Sequence, residues 1–340
     1  MAARNEAGPK IRKTQWHGLT AVQIEAGGYE ALMIPSVGAN TVSLKNSSLR
    51  ADILRTPAED EVELFVLKPQ TFGIPILFPP NRIEDGTYTW NGVTYTFPIN
   101  NLKQNNHNHG VLKTQPFTVT RTETGAEYAE VEASFFSNEV NDEIFRSFPH
   151  PFVCRMIYRL SAEGLTHTVS FTNLDNRPMP IGIGYHTPIR VPFIEGGHPE
   201  DYRLLLSAGE HWVLNDRTLP TGERVPLSGE ERKLREEGMS PVGSAMEMAV
   251  SNCPLTLDGE PYSGAVMIDT RSGHRVFYEV DPQVTYWTFW NNGGDKPWAC
   301  AEPQTWATNA PNLKLDASVT GFQTIAPSET WHTTSRIYVK

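Results

Sequence analysis

Hydrophobic and polar residues alternate in short runs along most of the chain, which is the two-residue period of half-buried β-strands. Glycine, proline, serine and asparagine separate these runs, as they do between the strands of sheet proteins. The pattern therefore predicts an all-β protein with many short strands. The predicted strands lie at residues 21–26, 29–34, 41–44, 51–54, 62–67, 117–122, 127–136, 153–160, 165–172, 265–268, 274–280, 284–290 and 333–339, with further strand-like pieces between 202 and 227.

One hairpin is predicted in detail by TYTWNGVTYTF at residues 87–97. Asn91-Gly92 lies between two alternating runs, and this dipeptide favours the two-residue type I′ turn. By contrast, FGIPILFPPNRIEDG at 72–86 carries prolines, which cannot donate to a strand ladder. We therefore expect that segment to leave the sheet as a fixed loop.

Other segments interrupt the strands without dividing the chain. A short helix is predicted at about 139–145, a turn at LPTGERVP (219–226), and a solvated helix or loop at GEERKLREEG from Gly229. No internal repeat or low-complexity linker separates two halves. We expect one domain over residues 1–340.

Composition and charge exclude several classes of partner. The 340 residues are 39% hydrophobic and 20% charged, as in ordinary globular proteins, and the net charge is −10 without a basic cluster. Nucleic acid is therefore not an expected partner, because phosphate binding needs concentrated Lys and Arg. The polar N-terminus lacks the apolar core of a secretory signal, and no apolar run is long enough for a membrane helix. With three scattered cysteines, these features favour a cytoplasmic protein.

The candidate chemistry is densest in WTFWNNGGDKPWACAEPQTWATNAPN at 287–312, which holds four of the eight tryptophans. Glu302 lies there between Ala301 and Pro303. Burial without a partner would raise the pKa of this carboxyl and make it a usable base near neutral pH. The alternative is a glutamate tied to backbone amides at a turn.

Histidines supply a second group of candidates. His107 and His109 form an HxH pair that fits a metal site, a structural role, or a sugar- or anion-binding role, but no carboxylate follows at 111–117 to complete a metal set. His186 ends an apolar strand and is either structural or a proton donor. Arg82 beside Asn81 fits either substrate binding or a surface salt bridge.

The motifs of several enzyme classes are absent from the sequence. It contains no GxSxG, no GxxxxGK[ST] and no GxGxxG placed between a strand and a helix. What remains is a glutamate, histidines, an arginine and many aromatic residues in an all-β frame. That set suits acid–base chemistry on a neutral polyol, whose apolar ring faces stack on tryptophan.

These residues lie in motifs that resemble the aldose 1-epimerase, or galactose mutarotase-like, superfamily. The motifs are PILFPPNRIEDGTYTWNGVTYTFPIN, the loop ending in HNHGVL, GIGYHTPI, LPTGE at 219–223 and EPQTWATNAPN at 302–312, in the family's order over about 20–335. The resemblance implies a large antiparallel β-supersandwich. It also implies a carbohydrate isomerase with a small-molecule sugar substrate, no cofactor and no metal.

The resemblance assigns roles to individual residues. Glu302 would be the general base and His186 the general acid, while His109 would assist at the ring oxygen. Arg82 would bind sugar hydroxyls. Asn81, a planar hydrogen-bonding group, and Trp287, a stacking surface, complete the expected substrate-binding set.

One departure from the family pattern affects substrate specificity. Galactose mutarotases of this family carry an Asp-His pair where this chain has Ser263-Gly264. The sugar is therefore left open. A hexose-6-phosphate 1-epimerase and a non-catalytic carbohydrate-binding protein are the alternatives, and the second has no need of an acid–base pair.

Overall fold

The computed structural model describes residues 8–138 and 142–340, and antiparallel strands make up most of them. The strands of the first half are β1 Lys10–Trp16, β2 Leu19–Ala26, β3 Tyr29–Ile34, β4 Asn40–Asn46, β5 Ala51–Asp52, β6 Ile76–Leu77, β7 Arg82–Glu84, β8 Thr87–Trp90, β9 Val93–Thr96, β10 Asn106–Asn108, β11 Thr118–Thr124, β12 Tyr128–Ser137, β13 Phe152–Ser161 and β14 Gly164–Asn173.

Strands also dominate the second half, and the α-helices of the described residues are short. The remaining strands are β15 Met179–Ile181, β16 Gly184–Tyr185, β17 Thr187–Arg190, β18 Tyr202–Leu206, β19 Ala208–Leu214, β20 Pro220–Val225, β21 Glu247–Asn252, β22 Leu255–Leu257, β23 Glu260–Tyr262, β24 Gly264–Asp269, β25 Arg275–Val280, β26 Tyr286–Trp290, β27 Trp298–Gln304, β28 Gln323–Ile325 and β29 Thr330–Val339. The helices are α1 Val62–Leu67, α2 Asp142–Ser147, α3 Gly229–Glu236 and α4 Ala317–Thr320. None of these helices is long and apolar enough to cross a lipid bilayer.

Three sheets carry the architecture. The first large sheet has the strand order β11-β12-β13-β14-β29-β25-β24-β18. The second large sheet has the order β20-β19-β21-β26-β27-β16-β6, and β17 also pairs with β27. An N-terminal sheet runs β1 to β5 in sequence order. The last strand, β29, thus lies inside the first large sheet between strands from the middle and the later part of the chain.

The two large sheets contact each other through buried aromatic side chains. The His167 ring on β14 lies 5.0 Å from that of Tyr185 on β16. Tyr278 on β25 lies 6.3 Å from Trp287 on β26, and its hydroxyl accepts a hydrogen bond from Thr187 at 3.3 Å. Buried residues of both sheets belong to one hydrophobic cluster. The all-β prediction and the expected galactose mutarotase-like sandwich are therefore confirmed.

Local predictions with a clear period or turn signal are also confirmed. β13 buries alternate residues along its length, as the two-residue period requires. The hairpin of β8 and β9 has positive φ at Asn91 and Gly92 (48° and 75°), as in a type I′ turn. The charged segment from Gly229 forms α3, whose Ser228 and Glu231 make a capping box at the N-terminus.

Residues 62–67 form helix α1, so the predicted strand there is wrong. Three acidic residues, 59–61, precede the segment in a 3₁₀ turn and place negative charge at the helix N-terminus, where it is favourable. Only Phe65 of α1 is buried, while Leu64 and Leu67 are 44% and 74% exposed. The apolar run therefore lies on the surface and does not belong to a sheet.

Two other predictions need correction, and one lies partly outside the described residues. Segment 72–86 is not wholly a loop, since 76–77 form β6 and 82–84 form β7, on either side of the two prolines 79–80. The LPTGE motif runs into strand β20 and does not form a separate turn. The helix predicted at 139–145 begins in residues outside the described ranges, and α2 starts at Asp142.

Candidate active site

Glu302 lies in the middle of β27, a strand with every residue buried. It is hydrogen-bonded into the second large sheet between β26 and β17, and Thr288 is its partner in register on β26. The Glu302 side chain lies in a cavity wall and is only 2% exposed. The alternative of a glutamate at a turn is therefore wrong.

His186 joins β16 to β17 and lies beside Glu302. Its Nε2 is 3.1 Å from Glu302 Oε1, and His186 as a whole is 4% exposed. Burial raises the pKa of Glu302 well above its usual value and lowers the pKa of His186 to about 3. Both shifts favour the uncharged forms. Two groups in such contact can hold one proton between them, either as a neutral carboxyl and a neutral imidazole or as an ion pair.

His109 approaches the same pair from a different loop. Its ring is perpendicular to that of His186 with the centroids 5.0 Å apart. His109 and Gly110 both have left-handed backbones (φ 64° and 63°), and a Cβ at Gly110 would meet the Phe78 carbonyl at 2.3 Å. Glycine is thus required for the turn that brings this histidine to the site. Burial, and then neighbouring His186, lowers the pKa of His109.

His107, the other member of the HxH pair, has a different environment. Its Nδ1 lies 2.8 Å from the Pro98 carbonyl oxygen, and its ring packs 5.1 Å from that of Phe97. Burial lowers its pKa to about 4. The two imidazoles do not face one site, because β10 ends at Asn108 and the backbone turns at His109. The contacts fit a structural role for His107.

Arg82 and Asn81 form the polar side of the site. Arg82 Nη2 donates to Glu247 Oε1 at 2.9 Å, and Nη1 donates to Asn81 Oδ1 at 3.2 Å. Asn81 Nδ2 in turn donates to Thr288 Oγ1 at 3.0 Å. Because Asn81 hydrogen-bonds to both Arg82 and Thr288, the Arg82 guanidinium is fixed beside the cavity. Arg82 also lowers the pKa of Glu302, in opposition to the larger effect of burial.

These side chains enclose one cavity of about 230 Å³. Five of the six residues predicted for the site line it: Asn81, Arg82, His109, His186 and Glu302. The rest of the wall consists of Gln70, Thr71, Asn108, Glu247, Thr288 and Trp290. A buried carboxyl–imidazole pair thus faces a space bordered by amide, hydroxyl, guanidinium and indole groups.

Trp287, the sixth predicted residue, does not line this cavity. Side chains alternate along β26, so Thr288 and Trp290 share the cavity face while Trp287 points to the other face. Trp287 is fully buried, and its Nε1 donates to Asn252 Oδ1 at 3.1 Å. The tryptophan at the cavity is Trp290, whose ring lies 5.5 Å from that of His186.

Glu247 is a further cavity residue that the sequence motifs did not contain. It lies on β21, directly opposite Trp290 in register. The available signal is a charged residue at the start of the apolar run MEMAV, and that signal is weak without the pairing of β21 and β26. Ser263, at the family's Asp-His position, lies elsewhere: Asn252 Nδ2 donates to its hydroxyl at 2.9 Å.

One group among the described residues has the ligand atoms for a metal ion. His186, Cys300 and Glu302 bring a nitrogen, a sulfur and a carboxylate oxygen within 4.8 Å of one another. Cys300 is a free, buried thiol two residues before Glu302 on β27, and burial raises its pKa. An ion bound there would occupy both His186 and Glu302, so neither side chain could then accept or donate a proton.

Comparison with known proteins identifies the family that has this sandwich. The family model described as aldose 1-epimerase matches residues 20–338, and the chain therefore belongs to that family. A galactose mutarotase-like protein from Clostridium acetobutylicum has a similar crystal structure. It is 39% identical, with a TM-score of 0.95 over 98% of this chain and 99% of that one.

More distant relatives show the same fold. The galactose 1-epimerase of Lactobacillus acidophilus NCFM has a TM-score of 0.70 at 14% identity, with 98% of each chain covered. The uncharacterized protein YihR of Escherichia coli K12 is 24% identical over 204 residues. That match spans 59% of this chain and 59% of the length of YihR.

Proposed function

We propose that this protein is an aldose 1-epimerase that interconverts the α and β anomers of an aldose by ring opening and reclosure. The observation that carries the proposal is the 3.1 Å contact between His186 Nε2 and Glu302 Oε1 in the wall of a small polar cavity. Anomer exchange needs one proton acceptor and one proton donor on neighbouring oxygens, and this pair supplies both.

The proposed reaction begins with the ionised form of the pair. The Glu302 carboxylate accepts the proton of the anomeric hydroxyl while the His186 imidazolium donates a proton to the ring oxygen. The bond between C1 and the ring oxygen breaks, and the open-chain aldehyde forms. Rotation about C1–C2 presents the other face of the carbonyl. On reclosure His186 takes back the proton of the hydroxyl that becomes the ring oxygen, and the Glu302 carboxyl returns its proton to the carbonyl oxygen.

The resting neutral pair and the reactive ion pair hold the same single proton. Moving it along the 3.1 Å contact converts one form to the other without exchange with solvent. Arg82 favours the carboxylate form, because its positive charge lowers the pKa of Glu302. Sugar hydroxyls that donate to the carboxylate would favour the same form. His109 then faces the ring-oxygen side of the pair.

Substrate hydroxyls have suitable partners around the pair. Arg82 Nε is buried and lacks a hydrogen-bond partner among the described residues. Glu247 accepts from Arg82 and offers a second carboxylate oxygen at the cavity. We infer that Glu247 binds sugar hydroxyls in place of the acidic residue that Ser263 replaces. Trp290 provides the aromatic face.

A neutral aldose fits the catalytic cavity better than a phosphorylated one. Among the residues lining it, Arg82 is the only arginine or lysine, and burial lowers the pKa of both His109 and His186. Glu247 already neutralises that arginine. A phosphate dianion would therefore lack the concentrated positive charge that its desolvation requires.

The experiment is NMR saturation exchange between the anomers of a panel of aldoses and hexose 6-phosphates, with and without the protein. Faster exchange for at least one aldose supports the proposal. Buffer-rate exchange for every sugar, combined with measurable sugar binding, favours a non-catalytic carbohydrate-binding protein. The cytoplasmic location stays a prediction, which localisation of the tagged protein would test.

A further inference from the structure

A second, larger cavity adjoins the catalytic one. It has a volume of about 600 Å³ and lies between helix α1, the loop after β5 and the ends of β17 and β26. Gln70, Thr71 and Trp290 line both cavities, so the two spaces share a wall. The catalytic cavity alone is smaller than the roughly 300–1,000 Å³ of typical small-molecule sites, whereas the two together fall well inside that range.

Trp290 connects the two cavities. Its ring lies 5.5 Å from the His186 imidazole on the catalytic side and 5.5 Å from the Trp298 ring on the other. An indole at this junction offers an apolar face for a second ring held next to the reacting one.

Unpartnered polar atoms also border the second cavity. Thr56 Oγ1 and Gln70 Oε1 have no hydrogen-bond partner among the described residues. Buried polar atoms are normally paired, so each is a candidate to bind a ligand hydroxyl after a small side-chain movement. Gln70 lies on the shared wall and could serve either ring.

The charged residues of this cavity favour a neutral ligand. Three of its four cations, Arg55, Arg190 and Lys296, lie 2.5 to 3.2 Å from a carboxylate oxygen. Only Lys68 has no carboxylate partner in the ranges that the structure describes. The positive charges are therefore largely neutralised before any ligand arrives. A phosphate or sulfate would have to displace those partners, whereas sugar hydroxyls can bind beside them.

We propose that the second cavity binds a further glycosyl unit, and that the substrate is a reducing disaccharide or longer oligosaccharide. The reducing-end aldose occupies the catalytic cavity, and the next unit lies against Trp290, within reach of Gln70 and Thr56. This inference rests on the proposed epimerase activity, because it extends the substrate of the same site.

The test compares kcat/KM for glucose and galactose with that for 1,4- and 1,6-linked reducing disaccharides and hexose 6-phosphates. Two leucines on α1 give a matched pair of variants: Leu64 lines the second cavity, and Leu67 does not. We expect at least one disaccharide to exceed its monosaccharide by about tenfold or more, and Leu64→Trp to abolish that advantage. Monosaccharide rates should be unchanged in Leu64→Trp, and all rates should be unchanged in Leu67→Trp.

Several results would overturn the second subsite without touching the proposed activity. One is that monosaccharides and disaccharides react at equal rates. Another is that Leu64→Trp lowers the rates of both equally. A third is that the protein prefers hexose 6-phosphates and that Lys68→Gln removes this preference. Failure of the activity itself would appear as no exchange with any sugar. Calorimetric binding of disaccharide against monosaccharide then tests the subsite alone, and equal affinities would overturn it.

Discussion

His186 and Glu302 are neighbours across two strand segments, with Nε2 and Oε1 3.1 Å apart and both side chains nearly excluded from solvent. β17 and β27 are paired next to them, with Thr187 opposite Ala301. The contact is thus held by the sheet and not by a loop. In the proposed reaction, pre-organisation of this kind would let proton transfer proceed without rearranging either side chain.

Replacing the carboxyl should separate catalysis from binding. Glu302→Gln keeps the shape and one hydrogen-bonding oxygen but cannot accept the anomeric proton. We expect anomerisation to fall by roughly 10²–10⁴-fold while sugar affinity changes by less than about tenfold. Polarimetry, calorimetry and a melting curve on the same variant measure all three properties. An unchanged rate would exclude Glu302 as the base, and a large loss of melting temperature would indicate a structural role.

The imidazole can be tested against a second histidine–glutamate pair in the same chain. His186→Asn removes the proton donor, and we expect kcat to fall by about 10²–10⁴-fold. His211, whose Nδ1 lies 2.7 Å from Glu231 Oε1 and which does not line the cavity, provides the control. His211→Asn should retain full activity. Full activity in folded His186→Asn would return that histidine to a structural role.

The pH dependence should differ from that of an ordinary histidine. Below about pH 3 the His186–Glu302 pair holds two protons, because His186 is then protonated as well. Above the raised pKa of Glu302 the pair holds none. Between these two limits it holds one proton. We therefore expect kcat/KM to show no inflection near 6.5. It should fall as the pH rises through the Glu302 value and, on the acid side, only near pH 3. The measurement is kcat/KM against pH with the spontaneous rate subtracted. An acidic limb near 6.5 would contradict these assignments.

Buried His167 should make the fold acid-sensitive. It stacks on Tyr158 with the ring centroids 4.4 Å apart, and burial lowers its pKa to about 3. The folded pKa lies below the unfolded value near 6.5, so its contribution is present above pH 6.5 and is lost as the pH falls toward 3. We expect about 1.4 kcal/mol lost per pH unit in that window. Urea unfolding of His167→Phe should show a correspondingly smaller pH slope, and an unchanged slope would refute this.

Chelation should leave the proposed activity intact, because no step uses a metal. Added Zn²⁺ should instead inhibit, since His186, Cys300 and Glu302 together offer it nitrogen, sulfur and oxygen ligands. The measurement is the anomerisation rate after EDTA treatment and during Zn²⁺ titration. Cys300→Ala should weaken the inhibition while keeping the rate. Loss of activity on chelation with recovery on adding zinc or manganese would contradict the acid–base mechanism.

Sequence periodicity identified most strands because alternation is a local property of the chain. It failed at 62–67, where an apolar run is a surface helix with acidic residues at its N-terminus. The sequence analysis assigned the stacking role to Trp287, whereas Trp290 lines the cavity, and this error had a different cause. Adjacent strand residues point to opposite faces, and only the register with β27, which places Thr288 beside Glu302, shows which face holds the cavity.

Five of the six predicted site residues line one cavity, and Trp287, which lay outside the motifs of the family resemblance, does not. Glu247 belongs to no motif and reaches the cavity only because β21 pairs with β26. The second cavity could not be predicted from the sequence either, because helix α1, the loop before it and β17 meet only in the folded chain. Long-range pairing of this kind leaves no periodic signal in the sequence.

The interior position of β29 has a consequence for synthesis of the protein. When β14 and β25 leave the ribosome, each has one edge whose partner in the sheet is β29, residues 330–339. Until β29 is synthesised, the nascent chain presents two long, unpaired strand edges, each a template for pairing with another chain. The Tyr29 hydroxyl donates to the Val339 carbonyl and accepts from the Val339 amide. These two hydrogen bonds also form only after β29 has been synthesised. The sandwich is therefore closed by a strand that is synthesised after both of its neighbours.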